Sequence, residues 1–209
     1  MKSTRSNAIL GAAVALSLTA SAALAQDHVS SRLDVAVLGG IHELSKNDTA
    51  IPDHLFSVPV VANVSYQFTP NLAAEGDLTW LIPVTRSVDM GAGVSADRKP
   101  PDILAYQAGV RAGLPLTQWT PYVAAGVGAV TFLSNSGADR LPQLDKSQTM
   151  FALNFGGGAQ FALNPTWGVR ADYRAFAAFP SKDAAGFSTN GSADPLWMQR
   201  GTLGVDYRF

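Results

Sequence analysis

Ten charged side chains hold positions in this 209-residue chain where charge is costly. Asp34, Glu75, Asp77, Asp172 and Asp206 lie inside otherwise apolar or small-residue stretches, and so do Arg111, Arg170, Arg174, Arg200 and Arg208. Neighbouring carboxylates such as Glu75 and Asp77 could share acid–base work if one holds the other protonated. That chemistry needs a substrate cleft, and none is implied. Five acids against five bases point instead to mutual pairing, because a buried charge needs a partner. Two other stretches invite chemistry and fail on context. GAGVSADRK (Gly91–Lys99) lacks the second Gly before Lys of a phosphate loop, and no helix follows it. DAAGFSTNGSAD (Asp183–Asp194) offers oxygen ligands without calcium-loop spacing. No metal site and no cofactor are expected.

The elements that position these charges show a period of two. Eight segments of roughly ten residues alternate apolar with polar or small: Arg32–Glu43, Ser57–Phe68, Asn71–Leu81, Ile103–Leu114, Thr120–Phe132, Thr149–Phe161, Thr166–Ala177 and Trp197–Phe209. In the second, Val58, Val60, Ala62, Val64, Tyr66 and Phe68 share one face, with Ser57, Asn63, Ser65 and Gln67 on the other. Glycine and β-branched residues are too frequent in these segments for helix. Each is long enough for a tilted strand to cross a bilayer.

Alternation alone also fits a half-buried soluble sheet. Two features favour a membrane barrel. Full charges stand mid-strand on the polar face of several segments. The connections also alternate in length: the tight TP, PLTQW and ALNP turns against the long polar stretches Leu44–Phe56, Ile82–Asp102, Leu133–Gln148 and Ala178–Leu196. Short turns at one end and long loops at the other are the plan of a transmembrane β-barrel. The fold class expected is all-β, a closed eight-stranded antiparallel up-and-down barrel. Residues 26–209 suit a single domain, expected to lie multi-pass in the outer membrane.

An eight-stranded barrel has an interior wide enough only for side chains or a small ligand. The ten charges are therefore expected to line the lumen as an ion-pair network that plugs it. Asp34 should approach Arg200 or Arg208, and Arg111 should reach Glu75 or Asp77, because those strands are neighbours. The alternative is a narrow porin-like conduit for small solutes, supported by the inward small residues Gly109, Gly113, Gly126, Gly128, Gly156 and Gly158.

The chain opens on MKSTRSNAILGAAVALSLTASAALAQ, with a basic start at Lys2 and Arg5, an uncharged apolar run and a small-x-small site at Ala23–Ala25. Residues 1–25 are expected to be a secretory signal peptide cleaved between Ala25 and Gln26. Removing Lys2 and Arg5 with it takes the formal charge from −1 to −3. That balance argues against a nucleic-acid partner. There is no cysteine, so neither disulfides nor a lipoprotein anchor are expected.

At the other end TLGVDYRF alternates to its last residue. Thr202, Gly204, Tyr207 and Phe209 resemble, position by position, the C-terminal targeting signal of bacterial outer-membrane barrels: a polar residue, Gly two on, a hydrophobic or aromatic residue five on and a terminal aromatic seven on. With TPYVAAGVGAVTF (Thr120–Phe132), which is similar to the fifth strand of many such proteins, the chain resembles the small barrels of the OmpA, OmpX and OmpW type. The resemblance implies assembly by the barrel-assembly machinery, contact with outer-membrane lipids and lipopolysaccharide, a monomer, and a structural or surface-interaction role through four extracellular loops. The peptidoglycan-binding domain of full OmpA-type proteins is expected to be absent.

Enzymes exist on this scaffold. The lipid A deacylase barrels use a His-x-Ser pair with an acid. Here only His28 and Ser30 have that spacing, ahead of the first strand; His42 and His54 do not. The lipid A palmitoyltransferase barrels use loop His, Asp and Ser, which His54, Ser87 and Asp89 imitate in composition without the amphipathic helix that begins those proteins. A lipid A-modifying activity is the least favoured reading, and the chain is expected not to be an enzyme.

Overall fold

The computed structural model describes residues 32–45, 55–84, 86–89, 95–98, 101–135, 144–180 and 195–209. Ten strands follow in order: β1 (Arg32–Ser45), β2 (Leu55–Gln67), β3 (Leu72–Pro83), β4 (Arg86–Asp89), β5 (Ser95–Arg98), β6 (Ile103–Gly113), β7 (Trp119–Phe132), β8 (Gln148–Ala162), β9 (Trp167–Phe179) and β10 (Leu196–Arg208). Eight of them close into one antiparallel barrel in the order β1-β10-β9-β8-β7-β6-β3-β2. The eight alternating segments match these strands to within two residues at either end.

The long polar Ile82–Asp102 connection contains a separate two-stranded sheet of β4 and β5, paired from Arg86↔Arg98 to Asp89↔Ser95. Strands this short and this polar carry no period-two apolar signal.

Closure is made by β1 and β10, paired in full from Asp34↔Arg208 to Ser45↔Trp197. The Phe209 N–H donates to the Leu33 carbonyl at 3.0 Å, so the pairing runs to the last residue. The β1–β2 ladder skips Gly40 and Ile41, passing from Gly39↔Val60 to His42↔Ser57. Pro59 lies opposite that gap and has no N–H to donate.

The tight turns are held by their own side chains. Thr69 Oγ1 accepts the Leu72 N–H at 2.9 Å. Asn164 Oδ1 accepts the N–H groups of Thr166 and Trp167 at 2.9 and 2.7 Å. These are the local side-chain caps that such residues form in turns.

Burial is inverted relative to a soluble sheet. In β3, Leu72, Leu78 and Trp80 are exposed, while Glu75, Asp77 and Thr79 are buried. Phe209 is 71% exposed and Asp206 not at all. Aromatic side chains on the outer face contact one another at both ends. Trp167–Tyr207 and Tyr207–Phe209 meet at 4.9 and 4.8 Å near the short turns, and Phe151–Phe179 at 6.1 Å near the long connections. Two such girdles flank the apolar band of a membrane barrel.

The interior has two compartments. Charged and amide side chains fill the part nearer the short turns. At the long-loop end the inward positions are apolar, with Leu44, Ile103, Phe132, Met150, Phe176 and Leu196 in one buried cluster. Leu144, beside the Asn135↔Leu144 bridge, belongs to the same cluster.

Candidate functional site in the barrel interior

Alternation sets which residues face inward; strand order sets which can meet. Asp34, Glu75, Asp77, Arg111, Arg170, Asp172, Arg174, Arg200 and Asp206 are all buried inside the barrel, and the Arg208 side chain is 10% exposed at its rim.

The contacts cross the lumen. Arg200 on β10 takes both oxygens of Asp77 on β3, Nη1 to Oδ1 at 2.8 Å and Nη2 to Oδ2 at 3.2 Å, with β1 and β2 between them. The Thr79 hydroxyl joins both partners. Arg174 on β9 reaches Glu75 on β3 at 2.7 Å, although β9 lies four strands from β3 in either direction. Arg174 Nη1 also donates to Asn154 Oδ1 at 3.1 Å, and Asn154 Nδ2 donates to Gln107 Oε1 at 2.7 Å. Asp172 is the hub. It accepts from Arg174 Nε at 3.1 Å, Arg200 Nη2 at 3.4 Å and the Tyr122 hydroxyl at 2.8 Å. A carboxylate with three donors is charge-assisted at each bond.

A second group lies nearer the short turns. Arg111 donates to Ser65 Oγ at 3.1 Å, faces Asp34 at 3.7 Å and stacks over the Tyr122 ring at 5.3 Å. Arg170 donates from Nη1 to Asn63 Oδ1 at 2.8 Å. Asp206 accepts from Gln160 Nε2 at 2.6 Å and faces Arg208 at 3.5 Å. Arg32 faces Asp34 at 3.4 Å.

This corrects the neighbour pairing expected from the chain order. Asp34 meets Arg111 and Arg32 rather than Arg200 or Arg208, and Arg111 does not pair with Glu75 or Asp77. Inward side chains on adjacent strands point the same way. An arginine long enough to span a narrow barrel meets its partner on the facing wall.

The inward glycines seat these groups. A Cβ on Gly158 would lie 2.6 Å from the Tyr122 hydroxyl oxygen, and one on Gly126 would lie 2.7 Å from Asn154 Nδ2. Space read from the sequence as a conduit is occupied there by side chains of the network.

Above Arg200 the interior changes character. His42, directly opposite Arg200 in the β1–β10 register, is 2% exposed. Neither of its ring nitrogens has a hydrogen-bond partner among the described residues. It lines a cavity with Thr79, Leu81, Val130, Phe176 and Arg200 that has room for about one water molecule.

A closed ladder with no free edge is how a sheet satisfies its backbone in a bilayer, and its apolar and aromatic outer face suits lipid. Residues 10–209 match the model of the outer membrane protein beta-barrel domain. The chain belongs to that family. Its place is the cell outer membrane, and the small OmpA-like barrel inferred from the alternation and the C-terminal residues is the fold observed.

Among solved structures, it is similar to Neisserial surface protein A, with 14% identity, 85% of this chain and 97% of that one covered, and a TM-score of 0.58. It is also similar to the N-terminal β-barrel domain of Pseudomonas aeruginosa OprF, with 15% identity, 85% and 97% coverage, and a TM-score of 0.50. Identities this low carry the fold alone. No curated protein matches the chain.

Of the other outer-membrane features read from the sequence, Thr202, Gly204, Tyr207 and Phe209 lie on or just beyond β10. Thr202 is buried, with its hydroxyl 3.4 Å from the Asp172 carbonyl. Ala25, Gln26, His28, Ser30 and His54 lie outside the described residues, and Ser87 and Asp89 stand in β4. Sequence reasoning did not place Tyr122, Asn154, Gln107, Gln160, Asn63 and Ser65 in the network. Their parity on the strands was the available signal, since each lies an even number of residues from a buried neighbour on its own strand.

Proposed function

We propose that this protein is a non-conducting, non-enzymatic barrel whose role is structural and surface-interacting. It acts through the four long connections, which face the cell exterior and meet lipopolysaccharide, host molecules or other cells. The observation that carries this reading is the stacking of two unlike closures. The apolar cluster of Leu44, Phe132, Leu144 and Met150 lies above the cross-lumen pairs of Arg200 and Arg174. A hydrated path would have to cross both. Biogenesis follows on this reading: residues 1–25 are removed before Gln26, and Thr202, Gly204, Tyr207 and Phe209 form the signal read by the barrel-assembly machinery. The mature chain then acts as a monomer.

Single-channel recording in planar bilayers tests the proposal. Purified barrel should give no unitary conductance above the bare membrane at low or high salt. Reproducible, salt-dependent steps in the wild type would replace it with the porin-like reading.

A further inference from the structure

Arg170 stands apart from the other interior arginines. It is 2% exposed, and only Nη1 is engaged, by the neutral Asn63. Its Nε and Nη2 have no partner among the described residues. These two nitrogens form one edge of the guanidinium, the fork that receives two oxygens of a planar anion. Each interior carboxylate is already paired with another arginine: Asp34 with Arg32 and Arg111, Glu75 with Arg174, Asp77 and Asp172 with Arg200, and Asp206 with Arg208.

A second cation converges on the same wall. Arg111 reaches from β6 to Ser65, and Arg170 from β9 to Asn63. Ser65 and Asn63 are successive inward positions on β2, about 7 Å apart along the strand. Arg111 Nη1 is likewise without a partner. Two guanidinium groups anchored to successive inward residues of β2 thus leave three donor nitrogens without a hydrogen-bond partner among the described residues. Arg111 has the Asp34 carboxylate at 3.7 Å, whereas Arg170 has no ion pair among the described residues, a costly state for a charge inside a low-dielectric barrel.

We propose that this pair of arginines is a binding site for a small planar oxyanion of the carboxylate type. It would be held side-on by Arg170 Nε and Nη2 and met by Arg111 Nη1. The width of the barrel excludes a lipid or a sugar. The Asn63 amide keeps Arg170 oriented without neutralising it, which leaves the fork for a ligand. Binding moves no proton and breaks no bond.

The test is urea unfolding of the refolded barrel in detergent at constant ionic strength, with sodium formate exchanged for sodium chloride. The wild-type midpoint should rise with formate and saturate. Arg170→Gln should lose the saturable part. Asn63→Asp supplies an internal carboxylate to Arg170. It should raise the midpoint in chloride and abolish the formate dependence, so the proposal stays testable if Arg170→Gln does not fold. Formate dependence that is absent in the wild type, or unchanged in Asn63→Asp, overturns the site. Neither result depends on whether the barrel conducts.

Discussion

Arg200 holds both carboxylate oxygens of Asp77 from across the lumen, at 2.8 and 3.2 Å, and is itself stacked over the Phe176 ring at 5.2 Å. The pair ties β10 to β3, which share no ladder hydrogen bonds. It also lies at the boundary between the charged compartment and the apolar one, so its loss is felt by both.

Asp77→Ala leaves Arg200 with the weaker Asp172 contact at 3.4 Å. The expected cost is about 3 kcal/mol, the lower end for stranding a buried charge. Adding Arg200→Ala should cost less than the two single changes summed, with a coupling of about 1 kcal/mol or more. Urea unfolding in lipid vesicles measures the cycle. A companion cycle separates facing-wall from neighbour pairing: Arg111→Ala should couple to Asp34→Ala and not to Asp77→Ala. Strict additivity between Asp77 and Arg200 would mean that water, not the partner, satisfies each charge.

The barrel, its strand boundaries and the inward set of charges were legible because one face of each segment is apolar and the other is not. Glu75-Gly-Asp77-Leu-Thr79 and Arg170-Ala-Asp172-Tyr-Arg174 keep that contrast. The apolar compartment was not legible, because there both faces are apolar. Met150 faces in and Phe151 out, as do Leu196 and Trp197, and Ile103 is followed by Leu104. Where both faces bury apolar groups, alternation disappears from the sequence. Unlike pairs two residues apart on one strand, such as Asp172–Arg174 and Asp206–Arg208, the cross-lumen partners of Arg111, Arg174 and Arg200 were not legible either. They depend on the barrel's closure and on how far each arginine reaches, and neither is a local property of a strand.

Gly158 is a seat for the Tyr122 ring, and filling it should show. Gly158→Val places side-chain atoms where the Tyr122 hydroxyl stands 2.6 Å from a Cβ. That also pushes the hydroxyl off Asp172. Overpacking of this kind costs about 1–3 kcal/mol. The nearest atom to that Cβ is the Ala171 backbone carbonyl oxygen, which no side-chain change removes. Adding Tyr122→Ala should therefore leave most of the loss in place while also removing the Asp172 hydrogen bond. A Gly158→Val barrel that unfolds at the wild-type urea concentration would show that both the β9 backbone and Tyr122 give way without cost.

The apolar cluster and the charge network can be opened separately. Phe132→Ala removes a fully enclosed ring and should destabilise the barrel by about 3–5 kcal/mol. It should not raise conductance, because the Arg200 and Arg174 pairs still span the lumen below it. Arg200→Ala alone should be equally silent in bilayers, because the cluster still seals the long-loop end. Only the combination should conduct. Conductance from either single variant would show that the other compartment is not a barrier by itself.

Phe209 ends the chain on the outer face, where its ring meets Tyr207 edge-on at 4.8 Å and Tyr207 meets Trp167 at 4.9 Å. Its N–H donates to the Leu33 carbonyl, so deleting the residue removes one closing hydrogen bond as well as the terminal aromatic. The two roles separate by substitution. Phe209→Ala keeps the backbone bond and removes the ring; deletion removes both. If the terminal ring is the feature read during assembly, both variants should lower the amount of protein reaching the outer membrane to a similar extent. The band of folded barrel that runs differently before heating should weaken in each. Refolding of the two proteins into detergent from urea bypasses the assembly machinery. There Phe209→Ala should approach the wild type, and the deletion should fall short by about 1 kcal/mol, the net worth of one hydrogen bond. Equal outer-membrane yield for wild type and Phe209→Ala would leave the aromatic terminus as a lipid contact only.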